Sequence, residues 1–347
     1  MKFGPVPIEH AEGKILGHNV AGRDGKRALR KGKPLTAVHL ALLRDLGRAS
    51  VYVAELEPGD VHEDAAALRV AQAVVGEGLR LSGPSAGRVN LMTTTLGVLR
   101  VDAERLARLN GCDGVTLATL STHTPVGGAN RHRKMVGTIK ILPFAVPEST
   151  VHAVEQIAAE GGPLIWVDPL PPRMVALILS GSPAAESRIR HSFDPPLRAR
   201  LEALNATLTT TEFVPLEEER GEIELAEAIQ QRAGSGADLV VLAGETAIMD
   251  RYDIAPRAVE RAGGEVTCFG APVDPGNLLM LAYLGDVPVL GAPGCVRSRK
   301  ANIVDWVLPR LLAGERLSDV DIYRLGHGGL LEDVRERPHP RSQVSAK

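Results

Sequence analysis

The second half of the chain alternates short apolar runs with segments whose apolar residues recur at helical spacing. Residues 174–179 and 238–243 contain almost no polar side chains, as expected for strands buried on both faces of a sheet. The pattern predicts an α/β domain with a doubly wound, mostly parallel sheet and helices on both faces. The predicted elements are strand 174–179, helix 195–204, strand 208–214, helix 222–233, strand 238–243, helix 254–262, strands 265–269, 278–284 and 287–290, and a long helix from about 298 to 312.

A proline-rich connection separates this half from less regular α+β segments. Pro169, Pro171 and Pro172 predict a domain boundary, because closely spaced prolines do not continue a helix or a central strand. The charged tail contains Pro338 and Pro340, and we expect it to be mobile. The predicted domains are a small N-terminal unit (1–62), a middle α+β domain (63–170), the α/β domain (171–331) and the tail (332–347).

Composition excludes several classes of protein. The 347 residues carry 40 Lys and Arg against 42 Asp and Glu, a net charge of -2. This balance supplies no general basic field for a nucleic acid backbone, so we expect no nucleic acid partner. No apolar run reaches the roughly 20 residues of a membrane span, and no signal peptide precedes the first strands. We therefore expect a cytoplasmic protein that binds a small molecule and no membrane.

The three cysteines give no disulfide framework. Cys112, Cys268 and Cys295 lie far apart and form no CxxC pair. This spacing indicates a reducing compartment and no structural zinc site.

Three glycine-containing loops are predicted at the carboxyl ends of the parallel strands, where ligands bind in such folds. They comprise residues 243–253, 274–277 and 291–298. Glycine lets a backbone approach a ligand closely, and free amides at a helix start bind an anion. Arg297, with Arg299 and Lys300, adds positive charge. The loops therefore predict a phosphate-bearing ligand.

Taken together, these segments resemble the molybdopterin-binding domain shared by molybdopterin molybdenumtransferases and molybdopterin adenylyltransferases. The resemblance covers about residues 173–316, and a weaker one to the preceding segment of the molybdenumtransferases covers 30–53. The matching segments, in order, are 180–182, 188–189, 237–244, 253–256, 264–266, 275–276 and 288–294.

The resemblance implies roles for individual residues. The loops 244–246 and 294–298 would hold the terminal phosphate of molybdopterin or adenylylated molybdopterin. Two acids would face the pocket as catalytic or metal-binding groups, namely Asp253 and Glu217, with Glu218 as an alternative. They would bind Mg²⁺ or orient the pterin and the transferred group, with molybdate as a further substrate. The implied ligand-binding residues are Gly244, Glu245, Thr246, Asp250, Pro275, Gly276, Pro293, Gly294, Cys295, Arg297 and Ser298.

The sequence departs from the family pattern at informative places. The double glycine of the family is Ala243-Gly244 here, its small Ser/Thr-Gly turn is Glu245-Thr246-Ala247, and its Asn-Pro is Cys295-Val296. The N-terminal Ser-Ala-Met-Asp-Gly-Tyr-Ala signature of the molybdenumtransferases is missing. A glutamate beside a phosphate is electrostatically unfavourable. Pterin binding is therefore better supported than turnover.

Three functions stay open at this point. The protein transfers molybdenum or a nucleotide to molybdopterin, carries the finished cofactor to a recipient molybdenum enzyme without catalysis, or hydrolyses a nucleotide pyrophosphate on the same fold. Family members are commonly dimers or trimers, so the resemblance also implies a homo-oligomer.

Single residues have ordinary alternatives to these roles. Asp253 suits a helix N-cap, and Glu217 with its neighbours suits a solvated turn. Cys295 is either a reactive thiol with a lowered pKa or a buried thiol. The basic segment 131–134 either reaches the pterin or forms a solvated hairpin tip.

Overall fold

A computed structural model describes residues 1–127, 134–216, 218–245 and 248–331, with only the backbone of 218 and 219. The chain divides into two compact units. The first comprises Met1–Thr95 with Leu99–Asp168, and the second comprises Leu96–Val98 with the chain from Pro169 onward. The predicted mobile tail and three of the four residues of the basic segment 131–134 lie outside the described residues.

The chain before Pro169 forms small, largely antiparallel sheets with four helices among the described residues. The predicted N-terminal and middle domains lie in the first compact unit, except for Leu96–Val98 and residues 169–170, which belong to the second. They have separate hydrophobic cores, one built from residues between Ile8 and Val53 and one from residues between Ala66 and Val167. The elements are β1 Lys2–Pro7, β2 Ile15–Leu16, β3 Val20–Ala21, β4 Arg27–Leu29, α1 Ala37–Asp45, β5 Ser50–Glu55, β6 Asp60–His62, α2 Glu63–Val74, β7 Leu79–Leu81, β8 Arg88–Thr93, β9 Gly97–Val101, α3 Ala103–Asn110, β10 Val115–Thr119, β11 Pro125–Val126, β12 Met135–Ile141, β13 Ala145–Pro147, α4 Glu148–Ala159 and β14 Ile165–Pro169.

These strands pair in several sheets rather than one. The strand orders are β1-β5-β2, β3-β4, β13-β6, β10-β12-β8-β7 and β11-β9-β14.

The second unit contains the residues of the predicted α/β domain. Its six-stranded sheet has the order β16-β15-β17-β20-β19-β18. The first four strands in this order are parallel, whereas β19 runs antiparallel to both of its neighbours. The prediction of a mostly parallel, doubly wound sheet is therefore confirmed. The elements are β15 Arg173–Gly181, α5 Glu186–Ala203, β16 Ala206–Pro215, α6 Glu218–Gly234, β17 Leu239–Gly244, α7 Ile254–Arg261, β18 Glu265–Phe269, β19 Met280–Leu284, β20 Val287–Gly291, α8 Val304–Leu312 and α9 Asp319–Tyr323.

Helices cover both faces of this sheet. Along β15, Leu177 and Leu179 point to the core shared with α5 and α8, whereas Ile178 points to the core shared with α6 and α7. All three side chains are fully buried, and burying such a side chain is worth about 1.5–3 kcal/mol. Apolar residues on both faces explain why the strand has no polar alternation.

Helix α5 begins nine residues before the predicted start at Pro195, so that prediction was wrong. Pro195 and Pro196 lie inside the helix, although proline prefers the first turn. Its buried side chains recur every four residues, at Ile189, Phe193, Leu197 and Leu201. Burial of this stripe against the sheet stabilises the helix despite the two missing donors.

The predicted start of the long helix at about residue 298 is also wrong, because α8 begins only at Val304, although its end at Leu312 agrees with the prediction. A short 3-10 turn spans Gly294–Arg297. The Val304 N–H donates to Asn302 Oδ1 at 3.0 Å, and the Asn302 N–H donates to Asp305 Oδ2 at 2.9 Å. These bonds set the helix start, since they satisfy amides that have no partner within the helix.

Among the described residues, none of the helices has both the length and the apolar character needed to cross a membrane.

Candidate functional site

The strand order of the second unit creates a switch point between β15 and β17. The chain passes from β15 to β16 on one side and then returns to β17 on the other side. Ser180 near the end of β15 lies beside Gly244 at the end of β17, and Leu242 lies beside Gly291 at the end of β20. Ligands in open α/β sheets bind at such a switch point. We refer to these strand ends and the loops after them as the carboxyl edge.

Glycines allow close approach between the loops of the carboxyl edge. A Cβ on Gly181 would lie 2.6 Å from Ile189 Cδ1 and 2.8 Å from Glu245 Cβ. A Cβ on Gly244 would lie 2.7 Å from Ser180 Oγ and 2.8 Å from Ser180 O. Any larger residue at these positions would push the β15 and β17 loops apart.

The carboxylate of Glu245 is bound by the loop that follows β15. Its Oε2 accepts from the Ser182 N–H at 2.9 Å and from the Ser182 hydroxyl at 2.7 Å. Its Oε1 accepts from Arg188 Nη2 at 2.7 Å. The Ser182 amide, then the Ser182 hydroxyl, and also the Arg188 charge lower the pKa of Glu245 below its ordinary value. We call Ser182 and Arg188 the donor pair.

The donor pair explains how a glutamate is accommodated in a phosphate-type loop. An amide, a hydroxyl and a guanidinium are the groups that proteins use to bind phosphate oxygens. Here they bind an anionic group of the chain itself. Neither Ser182 nor Arg188 was predicted as a ligand-binding residue, although both lie in segments that carry the family resemblance.

The Asp253 side chain accepts hydrogen bonds from backbone amides of its own loop. Its Oδ2 accepts from the N–H groups of Met249 at 2.6 Å and Asp250 at 3.1 Å. Asp250 Oδ1 in turn accepts from the Tyr252 N–H at 2.8 Å. Asp253 precedes α7 but makes no side-chain bond to that helix. The geometry therefore gives Asp253 a role in ordering the loop between β17 and α7.

The predicted magnesium site involves residues that the structure only partly describes. Glu217 and Thr246 lie outside the described residues. Within the described ranges, no three His, Cys, Asp or Glu side chains are close enough to hold a metal ion. Because one oxygen of Asp253 already accepts two amides, a magnesium ion would be restricted largely to its other oxygen. The pairing of Asp253 with Glu217 stays a prediction.

A small cavity lies at the carboxyl edge, on the side of α6 and α7. Its volume is about 90 Å³, and its lining includes Ser180, Gly244, Asp253 and Ala292. This is far below the roughly 300–1,000 Å³ of pockets that enclose drug-sized ligands. The cavity therefore has room for a small group only, and a pterin ring would lie outside it.

Arg200 of α5 orders the loop that follows β20. Its guanidinium donates to the carbonyls of Val296 at 3.0 Å and Ser298 at 2.7 Å, and it pairs with Asp305 at 2.8 Å. This side chain is almost buried. No sequence pattern marks Arg200, because its partners lie about a hundred residues further along the chain.

Three of the predicted ligand-binding residues after β20, Gly294, Arg297 and Ser298, lie away from the small cavity, whereas Gly244 at the end of β17 lines it. Arg297 stacks over the Phe193 ring at 5.5 Å, and its Nε donates to Gly294 O at 2.9 Å. Ser298 is exposed, and its Oγ accepts from the Lys300 N–H at 3.1 Å. Arg297 lines a wider groove beside α5, together with His191. Gly294, Arg297 and Ser298 do not line the small cavity.

Burial raises the pKa of the Cys295 thiol. The alternative of a lowered pKa is therefore wrong for this residue. Cys295 lies in the 3-10 turn of Gly294–Arg297 rather than at the start of a long α-helix. The aligned amides that lower a thiol pKa at a helix N-terminus are missing there.

Pro275 and Gly276 pack against the segment just before α8. The Ile303 N–H donates to Pro275 O at 3.2 Å. A Cβ on Gly276 would lie 2.3 Å from Ile303 Cγ2. The contact with Ile303 therefore explains why residue 276 is a glycine, without a ligand.

Comparisons with known proteins give a short family match and several remote structures. A family model described as a domain of unknown function (DUF8806) matches residues 5–55. No curated protein is matched.

Solved structures similar to this chain include the molybdopterin biosynthesis enzyme MoaB from Thermus thermophilus, with 16% identity over 41% of this chain and 98% of that chain and a TM-score of 0.29. A molybdenum cofactor biosynthesis protein from Pyrococcus furiosus has 14% identity over 91% of this chain and 66% of that chain, with a TM-score of 0.24. The molybdopterin biosynthesis MoeA protein from Pyrococcus horikoshii has 14% identity over 90% and 75%, with a TM-score of 0.29. Scores this low carry no argument about function.

Proposed function

We propose that the α/β domain binds molybdopterin or adenylylated molybdopterin at its carboxyl edge, and that the protein acts in molybdenum cofactor biosynthesis. The observation that carries the proposal is the donor pair beside the switch point. Ser182 and Arg188 present an amide, a hydroxyl and a guanidinium to one carboxylate, Glu245. The motif resemblance over residues 173–316 supplies the chemical identity of the ligand.

In this proposal the phosphate of the pterin takes the place of the Glu245 carboxylate. Both groups are anionic and accept hydrogen bonds from the same donors. Gly181 and Gly244 let the two loops approach each other, so the phosphate lies between them. The pterin ring then lies outside the small cavity, against the loop that Asp253 orders.

We favour a protein that binds and delivers the cofactor over a transferase. Asp253 Oδ2 is already bonded to two amides, which leaves it less able to hold a metal ion or transfer a proton. Glu245 competes with the ligand, and such competition eases release as well as weakening binding. A recipient molybdenum enzyme is then the natural partner. The proposed homo-oligomer stays a prediction.

The proposal is tested by calorimetric titration of the purified protein with molybdopterin and with its adenylylated form. Magnesium and molybdate are present or absent, and products are followed in parallel. We expect binding without turnover. Turnover would make the protein a transferase, and the absence of binding to either form would refute the proposal.

A matched pair of serine variants links binding to the site. Ser182→Ala removes the hydroxyl that donates to Glu245, and we expect pterin affinity to fall about fivefold. Ser235→Ala removes a hydroxyl that bonds Gln231 O at the far end of α6, and affinity should not change. Equal affinities of both variants would argue against the donor pair as the phosphate site.

A further inference from the structure

The first unit contains a large groove that the proposed function does not use. It has a volume of about 860 Å³, within the range of pockets that enclose small-molecule ligands. Its lining includes the turn after β4, at Lys31 and Lys33, together with the start of α2 and the segment around Phe144. We call this feature the basic groove.

Positive charge dominates the basic groove. Five basic side chains line it, against two acidic ones. They are Arg30, Lys31, Lys33, Arg88 and Lys140, with Glu63 and Asp64. The chain as a whole has a net charge of -2, so this excess is local.

Both acidic side chains of the basic groove already contact other groups of the protein. Glu63 Oε2 pairs with Lys140 Nζ at 3.1 Å. Asp64 Oδ1 accepts from the Gly87 N–H at 2.7 Å. These contacts fix the start of α2 against β12 and against the turn before β8. Neither acid neutralises the other four cations.

Arg30, Lys31, Lys33 and Arg88 have no carboxylate within ion-pair distance among the residues that the structure describes. Some cations elsewhere in the same unit do have such partners. Arg69 pairs with Glu148 and Glu155, and Arg108 pairs with Glu160. Four like charges around one groove repel each other, and a bound anion would relieve this repulsion.

The backbone that carries two of these cations is fixed. The Gly32 N–H donates to Leu16 O at 2.8 Å, and the Leu16 N–H donates to Lys33 O at 2.9 Å. The Lys31 N–H donates to Asn19 Oδ1 at 2.9 Å. Gly32 adopts a φ of +82°, a conformation that suits glycine. The turn therefore presents its lysines from a defined position.

Aromatic rings lie in the same groove. Phe3 and His18 line it, with ring centroids 5.6 Å apart in an edge-to-face arrangement. Tyr52 packs against both rings at 5.9 and 5.3 Å. Phe3 nevertheless remains 48% exposed. A Cβ on Gly17 would lie 2.8 Å from Phe3 Cε2, so glycine there allows the ring to lie against the strand.

We propose that the basic groove is a second ligand site, which binds a small molecule made of a flat heterocycle and one or more phosphates. The ring packs against Phe3 and His18, because an exposed aromatic cluster offers apolar area and a π-face. The phosphates bind among Lys31, Lys33 and Arg88, because these cations have no carboxylate partner in the described part of the chain. A nucleoside diphosphate and a pterin phosphate share this chemistry. The proposal is independent of the function assigned to the carboxyl edge.

The test is calorimetric titration of the full chain with ADP, adenosine, pyrophosphate and molybdopterin. We expect ADP to bind at least tenfold more tightly than adenosine or pyrophosphate, since it supplies both the ring and the phosphates. Tighter binding of molybdopterin than of ADP, with the same dependence on Lys31 and Lys33, would identify the heterocycle as a pterin. No detectable binding of either ADP or molybdopterin at this groove would overturn the proposal.

Variants separate this groove from the carboxyl edge. Lys31→Ala combined with Lys33→Ala should weaken ADP binding at least tenfold, and Phe3→Leu should weaken it about fivefold. Lys26→Ala combined with Arg27→Ala removes two exposed cations of the neighbouring hairpin and should change nothing. ADP binding that is lost in Arg188→Ala but retained in the double lysine variant would place the ligand at the carboxyl edge and would overturn the proposal. ADP binding that is insensitive to Lys31, Lys33 and Phe3 would overturn the proposal, whatever the carboxyl edge binds.

Discussion

The carboxyl edge and the basic groove both gather groups that bind anions, yet they differ in what those groups contact. At the carboxyl edge, Ser182 and Arg188 already bind the carboxylate of Glu245. In the basic groove, Lys31 and Lys33 bind no carboxylate in the described part of the chain. Under the two proposals, a ligand at the carboxyl edge would compete with the Glu245 carboxylate, whereas a ligand in the basic groove would meet cations that have no carboxylate partner among the described residues. Affinity at the carboxyl edge should depend on Glu245.

The largest effect is expected from Gly244→Ala, which separates the loops on which the carboxyl edge depends. The added Cβ would lie 2.7 Å from Ser180 Oγ, so the free energy of unfolding should fall by about 1–3 kcal/mol. Urea denaturation measures the loss. Gly234→Ala is the control, because a Cβ at the end of α6 meets nothing within 4 Å. A Gly244→Ala variant as stable as the control would show that the loops do not need close contact.

A smaller effect is expected from Asp253, and two variants distinguish its roles. Asp253→Ala removes the acceptor of the Met249 and Asp250 amides, and pterin affinity should fall about tenfold. Asp253→Asn keeps an oxygen acceptor, and affinity should stay within about threefold of the original. Titration calorimetry measures both. An Asn variant as weak as the Ala variant would mean that the negative charge itself binds the ligand or a metal ion.

The pH dependence of stability reports on the Glu245 contacts. The pKa of Glu245 is lowered in the folded protein from an ordinary value of 4.5. The ionised carboxylate therefore contributes fully to the free energy of unfolding above pH 4.5. This contribution is lost as pH falls through the lowered pKa. The difference in denaturation midpoint between the original protein and Glu245→Gln should stay constant from pH 8 to about 5.5 and shrink below 4.5. A difference that grows on acidification would contradict these contacts.

No effect on ligand binding is expected from Cys295→Ser. Burial raises the pKa of this thiol, so the thiolate population is small at neutral pH and the side chain packs as a small apolar group. Pterin affinity should be unchanged in calorimetry. A loss of tenfold or more would indicate a direct contact between the sulfur and the ligand.

The fold of the second unit was largely predictable, because strands that are buried on both faces appear in the sequence as uninterrupted apolar runs. The predicted strand 265–269 agrees with β18, and the strand predicted at 238–243 agrees with β17 within one residue. The predicted start of helix α5 at residue 195 is wrong, because the preference of proline for the first turn of a helix does not hold for Pro195 and Pro196 here. The stripe from Ile189 to Leu201, at a spacing of four, was the stronger signal.

The candidate site was less predictable because its contacts join distant parts of the chain. Glu245 lies 63 residues from Ser182, and Arg200 lies 96 residues from Val296. No local pattern encodes such pairs. The resemblance identified Gly244, Glu245 and Asp253, which lie at or beside the carboxyl edge. It did not reveal that the Glu245 carboxylate is bound to Ser182 and Arg188.

If the carboxyl edge binds molybdopterin, its phosphate and the Glu245 carboxylate compete for the same donors, Ser182 and Arg188. The most direct measurement titrates the original protein and Glu245→Gln with molybdopterin and with the same pterin after removal of its phosphate. We predict that the substitution raises the affinity for the phosphorylated pterin about tenfold, because a neutral amide competes less well for Arg188, and leaves the affinity for the dephosphorylated pterin unchanged. Equal changes for both ligands, or a loss of affinity for the phosphorylated one, would show that the phosphate and the Glu245 carboxylate do not compete.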